Sequence, residues 1–226
     1  MENSRRDFLR RTCALVAGVS VSPFAVNGTT DAETEQAIKY AIIHDETKCI
    51  GCNACVEACR ETNHVPEGVT RLSIEKTGPY GEYPDQYYHF TRHSCEHCED
   101  APCVNVCPTG AAYIDKKTGI VSVHADKCVG CQYCLLACPY EIRFINPVTK
   151  AADKCDFCKE TNLKQGKQPA CVEACPTNAL VFGNLKDPDS LIVATLKANA
   201  TQRNKQDLGT RPKLFRITAK PGEITL

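Results

Sequence analysis

Sixteen of the chain's 17 cysteines fall into four groups of four. Group one is Cys49, Cys52, Cys55 and Cys59; group two is Cys95, Cys98, Cys103 and Cys107. Group three is Cys128, Cys131, Cys134 and Cys138; group four is Cys155, Cys158, Cys171 and Cys175. Groups one and three have the spacing C-x2-C-x2-C-x3-C, and groups two and four lengthen the interval before the third Cys to x4 and x12. Pro108, Pro139 and Pro176 close the last three groups, and Arg60 stands in that place in group one. This is the pattern by which thiolates hold [4Fe–4S] clusters. Three thiolates two residues apart can wrap one cubane, with backbone N–H groups turned toward its sulfides. The fourth Cys starts a helix that leads away, so it reaches a different cluster. The Pro after it fixes φ and has no N–H to satisfy. Four groups imply four clusters.

Two other uses of cysteine fit less well. Eight disulfides would need bridges between residues whose nearest Cys is mostly three positions away, a spacing that rarely meets bridge geometry. Structural zinc explains C-x2-C pairs, but not triplets at that spacing or the repeated Cys-Pro. No nucleophile–base pair, phosphate loop or open hydrolytic metal site stands out, so the chemistry is one-electron transfer and not substrate conversion. His44, His64, His89, His93, His97 and His124 read as ordinary polar or structural histidines, since no Cys is missing for a His to replace. His97, between Cys95 and Cys98, is placed to hydrogen-bond near a cluster.

The formal charge of the 226 residues is +0, which gives no reason to expect nucleic acid as a partner. Apolar residues make up 42% and charged residues 24%, ordinary for a globular protein; Trp is absent and Met occurs once. Loss of residues 1–28, which hold four Arg and two acids, would leave about −2; a ligated cluster contributes about −2, so four bring the mature protein to about −10. Cations must offset part of this. Lys48, Lys127 and Lys154 each precede a first Cys, and Arg143 and Lys150 follow group three. Some of these are expected to raise cluster potentials.

The elements that hold such groups are short. Cys107-Pro-Thr-Gly-Ala-Ala-Tyr-Ile and Cys175-Pro-Thr-Asn-Ala-Leu-Val-Phe each read as a helical turn and then a strand. Residues 112–115, 116–119 and 120–123 read as strand, turn and strand, the layout of a two-cluster bacterial ferredoxin. The fold class is therefore α+β: two bacterial-ferredoxin-like 2[4Fe–4S] modules, one nested in the other, with short strands, short helices and long loops. Residues 91–148 form the inner module, and 40–90 with 149–186 the outer one. Residues 71–92 suggest a long hairpin. Within 187–226, residues 188–199 suit a surface helix, and the segment from Gly209 is expected to run extended along the surface.

Residues 1–28 read as an export signal. Ser4-Arg5-Arg6-Asp7-Phe8-Leu9-Arg10 precedes an apolar stretch too short to span a bilayer. This is the twin-arginine pattern, which implies the twin-arginine translocase as a partner and a periplasmic protein. Cys13 leaves with the signal. Export in the folded state would occupy the thiols before they meet an oxidising compartment.

Several segments resemble the four-cluster iron–sulfur subunits of the DMSO reductase iron–sulfur family. They are Cys49-Ile-Gly-Cys-Asn-Ala-Cys, Cys128-Val-Gly-Cys-Gln-Tyr-Cys, Cys138-Pro-Tyr-Glu-Ile-Arg143, Asp153-Lys-Cys-Asp-Phe-Cys158 and Pro169-Ala-Cys-Val-Glu-Ala-Cys-Pro176. Pro66-Glu-Gly68 and Gly209-Thr-Arg-Pro-Lys-Leu-Phe are also similar. Within the family the sequence looks most like the iron–sulfur protein of the formate-dependent, cytochrome c nitrite reductase system. Its own export signal, and the lack of a C-terminal membrane helix seen in some relatives, favour that branch. The resemblance implies a crossed ligand set. Cluster A would take Cys49, Cys52, Cys55 and Cys175, and cluster B Cys155, Cys158, Cys171 and Cys59. Cluster C would take Cys95, Cys98, Cys103 and Cys138, and cluster D Cys128, Cys131, Cys134 and Cys107. Some relatives replace the residue at Cys131 and carry a three-iron cluster; here all four should be four-iron. The implied partners are a membrane quinol-oxidising subunit and a periplasmic c-type cytochrome that reduces nitrite, which would hold the protein peripherally at the inner membrane. The rival readings are the electron-transfer subunit of a molybdopterin oxidoreductase (for DMSO, polysulfide, tetrathionate, nitrate or formate) and a free-standing ferredoxin-like protein.

Overall fold

The computed structural model describes residues 38–219. The export signal read over 1–28, with Cys13, and the residues from 220 onward lie outside the described residues.

Strand β1 (Tyr40–Asp45) is buried at five of its six positions. A short strand apolar on both faces belongs in the middle of a sheet. The backbone then enters α1 (Ala54–Thr62), with Asn53 ahead of it in the left-handed region at φ 61°. Arg60 explains why group one carries no Cys-Pro. It sits inside a helix that continues to Thr62, where Pro would remove a backbone hydrogen bond. Its Nη1 donates to the carbonyls of Val65 (3.1 Å) and Pro66 (2.8 Å), and its Nη2 to that of Val69 (2.9 Å), which fastens the following loop.

The expected long hairpin is β2 (Leu72–Tyr80) paired antiparallel with β3 (Tyr87–Ser94), Leu72 opposite Ser94. The ladder breaks between Thr77 and Tyr80, where Pro79 has no N–H to offer. Next come α2 (Pro102–Asn105), β4 (Ala112–Ile114) and β5 (Val121–Val123), the last two paired with Ala112 opposite Val123. Helix α3 (Tyr133–Leu136) precedes a hairpin of β6 (Phe144–Ile145) and β7 (Ala152–Asp153), whose turn is held by Asn146 Oδ1 accepting from Val148 N at 2.9 Å. Helix α4 (Ala170–Glu173) leads to β8 (Leu180–Asn184). The surface helix expected over 188–199 is α5 (Leu191–Ala198), and β9 (Leu214–Ile217) follows.

β1 is the centre of a three-stranded sheet in the order β8-β1-β9. β8 runs antiparallel to it, Phe182 opposite Ile42, and β9 runs parallel, Leu214 opposite Ile42. This corrects the expectation that the segment beyond Gly209 lies along the surface. It is extended, but Leu214 is fully buried and Phe215 nearly so. The alternation of β1 divides the core. Ile42 turns with Leu180, Phe182 and Leu214 toward the cysteines. Ala41 and Ile43 turn the other way, onto Ile192 of α5 and Phe215. The rest is a mixed α+β arrangement of two-stranded sheets and helices of four to nine residues. Among the described residues no helix is long and apolar enough to cross a membrane.

Candidate metal centres

Helices α1 to α4 each hold the third cysteine of a group, and the fourth, four positions on, lies within α1 or just past the end of α2, α3 and α4, and not at a helix start as expected. The pairs are Cys55 and Cys59 on α1, Cys103 and Cys107 at α2, Cys134 and Cys138 at α3, and Cys171 and Cys175 at α4. Positions i and i+4 lie one above the other on a helix face. The helix therefore delivers its two thiols to successive places along its axis.

Cys49, Cys52, Cys55 and Cys175 line one cavity with Ile50, Ile74 and Leu180. Cys95, Cys98, Cys103 and Cys138 line a second with Ala101, Val121 and Ile142. Cys107, Cys128, Cys131 and Cys134 line a third with Val123 and Ile145. In each, three thiols come from one group and the fourth from another. The remaining four, Cys59, Cys155, Cys158 and Cys171, are buried near one another, and Asn63 Nδ2 spans Cys59 Sγ (3.8 Å) and Cys158 Sγ (3.3 Å). In the order of the ligand sets given above these are cages A, C, D and B. Cage B is buried throughout, whereas Cys52 in cage A and Cys131 in cage D are exposed.

The loops that form the cages turn at the third residue of each group. Gly51 (φ 68°) and Gly130 (φ 68°) hold that place in groups one and three. His97 (φ 46°) and Phe157 (φ 56°) hold it in groups two and four. The left-handed region suits glycine and costs other residues about 1–2 kcal/mol, so the two side chains are retained against strain, and their rings stack on each other. Backbone donors meet the sulfurs in a repeated way. Ala112 N donates to Cys107 Sγ and Ala179 N to Cys175 Sγ, both at 3.3 Å, and Thr109 and Thr177 place hydroxyls 3.7 and 3.8 Å from the same sulfurs.

The donor set fits an iron–sulfur cluster. Burial pushes the Cys55 thiol up to about 11, and those of Cys59 and Cys98 up to about 12; Cys155 is driven up as well. Such thiols become thiolates only against a strong nearby cation, which a cluster's iron supplies. Among the described residues no three His, Cys, Asp or Glu side chains close on a single-ion site; the thiols surround volumes instead. None of the 16 described cysteines is in a disulfide.

The five cations read from the sequence separate into two kinds. Lys127 and Lys150 are exposed, and Lys48 is half exposed and paired with Asp45 at 2.9 Å. Lys154 is buried, its Nζ donating to the carbonyls of Val121 and Cys155. Arg143 is buried against cages C and D, lining both cavities. Sequence reasoning missed Arg92, on β3, which is fully buried beside Cys55, Cys155 and Cys171. It also missed Arg71, paired with Asp153 (2.9 Å) and Asp156 (3.1 Å) next to Cys155. The signal for Arg92 is weak: a lone Arg in an aromatic strand three residues before Cys95.

Residues 48–111 and residues 86–185 each match a family described as a 4Fe-4S dicluster domain. The sequence is 55% identical over 222 residues to Protein NrfC of Escherichia coli (strain K12), covering 98% of each. It is 53% identical over 190 residues to the B subunit of polysulfide reductase from Wolinella succinogenes, covering 83% of this protein and 98% of that one. It is 49% identical over 152 residues to the thiosulfate reductase electron transfer subunit PhsB of Salmonella typhi, covering 67% of this protein and 79% of the other.

Proposed function

The protein belongs to the iron–sulfur electron-transfer subunits of the DMSO reductase iron–sulfur family, and from that premise we propose that it carries four [4Fe–4S] clusters as a linear wire between a membrane quinol-oxidising subunit and a periplasmic cytochrome c nitrite reductase. The cysteines of cages A, B, C and D would hold the clusters, with Cys175, Cys59, Cys138 and Cys107 as the crossed fourth ligands. Bound there, each cluster supplies reversible one-electron exchange. The polypeptide spaces the cages, keeps water from the middle two and leaves the end two open.

The observation that carries this reading is that four thiols from two different groups line each of cavities A, C and D. The order A–B–C–D follows from what joins neighbours. Helices α1 and α4 each serve A and B, α2 and α3 each serve C and D, and the His97–Phe157 stack lies between the loops of C and B. Cys52 and Cys131, the exposed ligands, belong to the two ends. The nested modules, 91–148 within 40–90 and 149–186, are the same arrangement described along the sequence. The export signal in residues 1–28 supports a periplasmic location and passage through the twin-arginine translocase.

A second reading has a specific observation behind it: the similarity to polysulfide and thiosulfate reductase subunits. In that case the wire would serve a molybdopterin oxidoreductase. Gentle capture of the mature protein from membranes, followed by haem staining and molybdenum analysis, separates the two. A haem-stained c-type cytochrome and a membrane subunit support the nitrite reading. Stoichiometric molybdenum with a large subunit would replace it with the second.

A further inference from the structure

Two arginines lie inside the body of the protein with guanidinium forks that meet no oxygen or nitrogen acceptor and face cysteine sulfur instead. Arg92 is 0% exposed. Its Nε donates to Ser94 Oγ at 2.8 Å, while Nη1 and Nη2 have no oxygen or nitrogen partner and the fork faces the Cys171 thiol. Arg143 is 7% exposed, and its Nη1 and Nη2 likewise have none, facing the thiols of Cys103 and Cys134. Burial of polar groups without partners is rare in folded proteins, and for a permanent cation with five N–H donors it is rarer still. Glu96, a carboxylate within the field of Arg92, is engaged by Arg216 at 3.4 Å.

What surrounds each fork is sulfur from two cages. The strongest electrostatic partners of Arg92 are Cys171 and Cys155 of cage B and Cys55 of cage A. Those of Arg143 are Cys103 and Cys95 of cage C and Cys134 of cage D, and Arg143 lines both of those cavities. The cysteine repeat does not account for this symmetry. Arg92 precedes group two on β3, and Arg143 follows group three ahead of β6, so the two reach matching places from unrelated points in the sequence.

We propose that each arginine is the shared counter-cation of a cluster pair: Arg92 donates to sulfur of clusters A and B, Arg143 to sulfur of clusters C and D, and each sets the potentials of its two clusters together. A fork of two donor nitrogens can serve two acceptors on different sides, which a lysine ammonium in the same place does less well. A cation between two sites of charge about −2 favours the reduced, more negative state of both. Both are positioning residues that act on the clusters and leave ligation to the thiols.

This rests on the four-cluster reading, and the experiment separates the two. The full-length protein, matured anaerobically, is assayed for iron and then studied by EPR-monitored potentiometry as wild type, Arg92→Gln, Arg92→Lys, Arg143→Gln and Arg143→Lys. Wild-type protein with too little iron for four clusters would sink the underlying reading. Given full iron, Arg92→Gln should lower two midpoints by at least tenfold in the reduction equilibrium, 59 mV for one electron, and leave the other two in place. Arg143→Gln should lower the complementary two. The lysine variants keep the charge but cannot span both clusters, so one midpoint of each pair should fall. They carry the test if a glutamine variant fails to load. Loaded variants with all midpoints unchanged, or a single midpoint moved by either glutamine change, would overturn the proposal.

Discussion

The imidazole of His97 stacks on the ring of Phe157, centroids 3.7 Å apart and planes 20° from parallel. Each ring belongs to the loop between the first two cysteines of its group, at a position where the other two groups have glycine. The contact is held from both sides: Val121 N donates to His97 Nδ1 at 3.2 Å, and Phe157 meets Phe182 edge-on at 5.2 Å. It joins the two halves of the cysteine framework through packed rings.

Phe157→Ala should therefore cost about 3–5 kcal/mol, the usual range for a buried Phe. Because Phe157 sits at φ 56°, Phe157→Gly should be the more stable of the two variants, by about 1 kcal/mol. This reverses the usual order of Gly and Ala. Anaerobic thermal unfolding of the loaded protein ranks them, and an alanine variant that outlasts the glycine variant would contradict the strain assigned to this loop.

Gly51 and Gly130 share φ 68° but not their surroundings. A Cβ on Gly51 would stand 2.3 Å from the Phe90 ring, whereas one on Gly130 would stand 3.3 Å from the Lys150 carbonyl. Gly130→Ala should cost the left-handed strain, about 1–2 kcal/mol, with a slight shift of the Lys150 carbonyl, and keep full iron. Gly51→Ala must displace Phe90 as well and should lose iron from cage A. Adding Phe90→Leu should restore that iron. Iron analysis of the three variants checks this.

Arg60 holds the loop at 65–69 through three hydrogen bonds from its guanidinium. Hydrogen bonds from a charged donor are worth about 1.5–3 kcal/mol each to the group left unpaired. Arg60→Met should leave the cages loaded but speed hydrogen exchange and proteolysis at 65–70 by at least tenfold. Unchanged protection there would show that the loop is held by other contacts.

The cysteine groups, the α+β class and both early hairpins are legible in the sequence because their signals are local: thiol spacing, alternation, turn residues. What was not legible depends on residues far apart in the sequence. Lys48, Lys127 and Lys150 adjoin or follow cysteine groups in sequence, yet they point to solvent or to Asp45. Arg92 stands three residues ahead of Cys95 with no spacing that marks it, and the strand that contains it only turns inward because β2 pairs with β3 in that register. The role of Leu214–Ile217 as a core strand comes from pairing with β1, more than 160 residues earlier. The His97–Phe157 contact closes across 60 residues and replaces a glycine that the local turn would prefer.

The sixteen described cysteines are there to hold four cubanes. Iron and acid-labile sulfide, measured per polypeptide on anaerobically matured protein, should therefore each come to about sixteen, four per cluster. Fully folded, redox-active protein with about eight or fewer of each would rule out four cubanes.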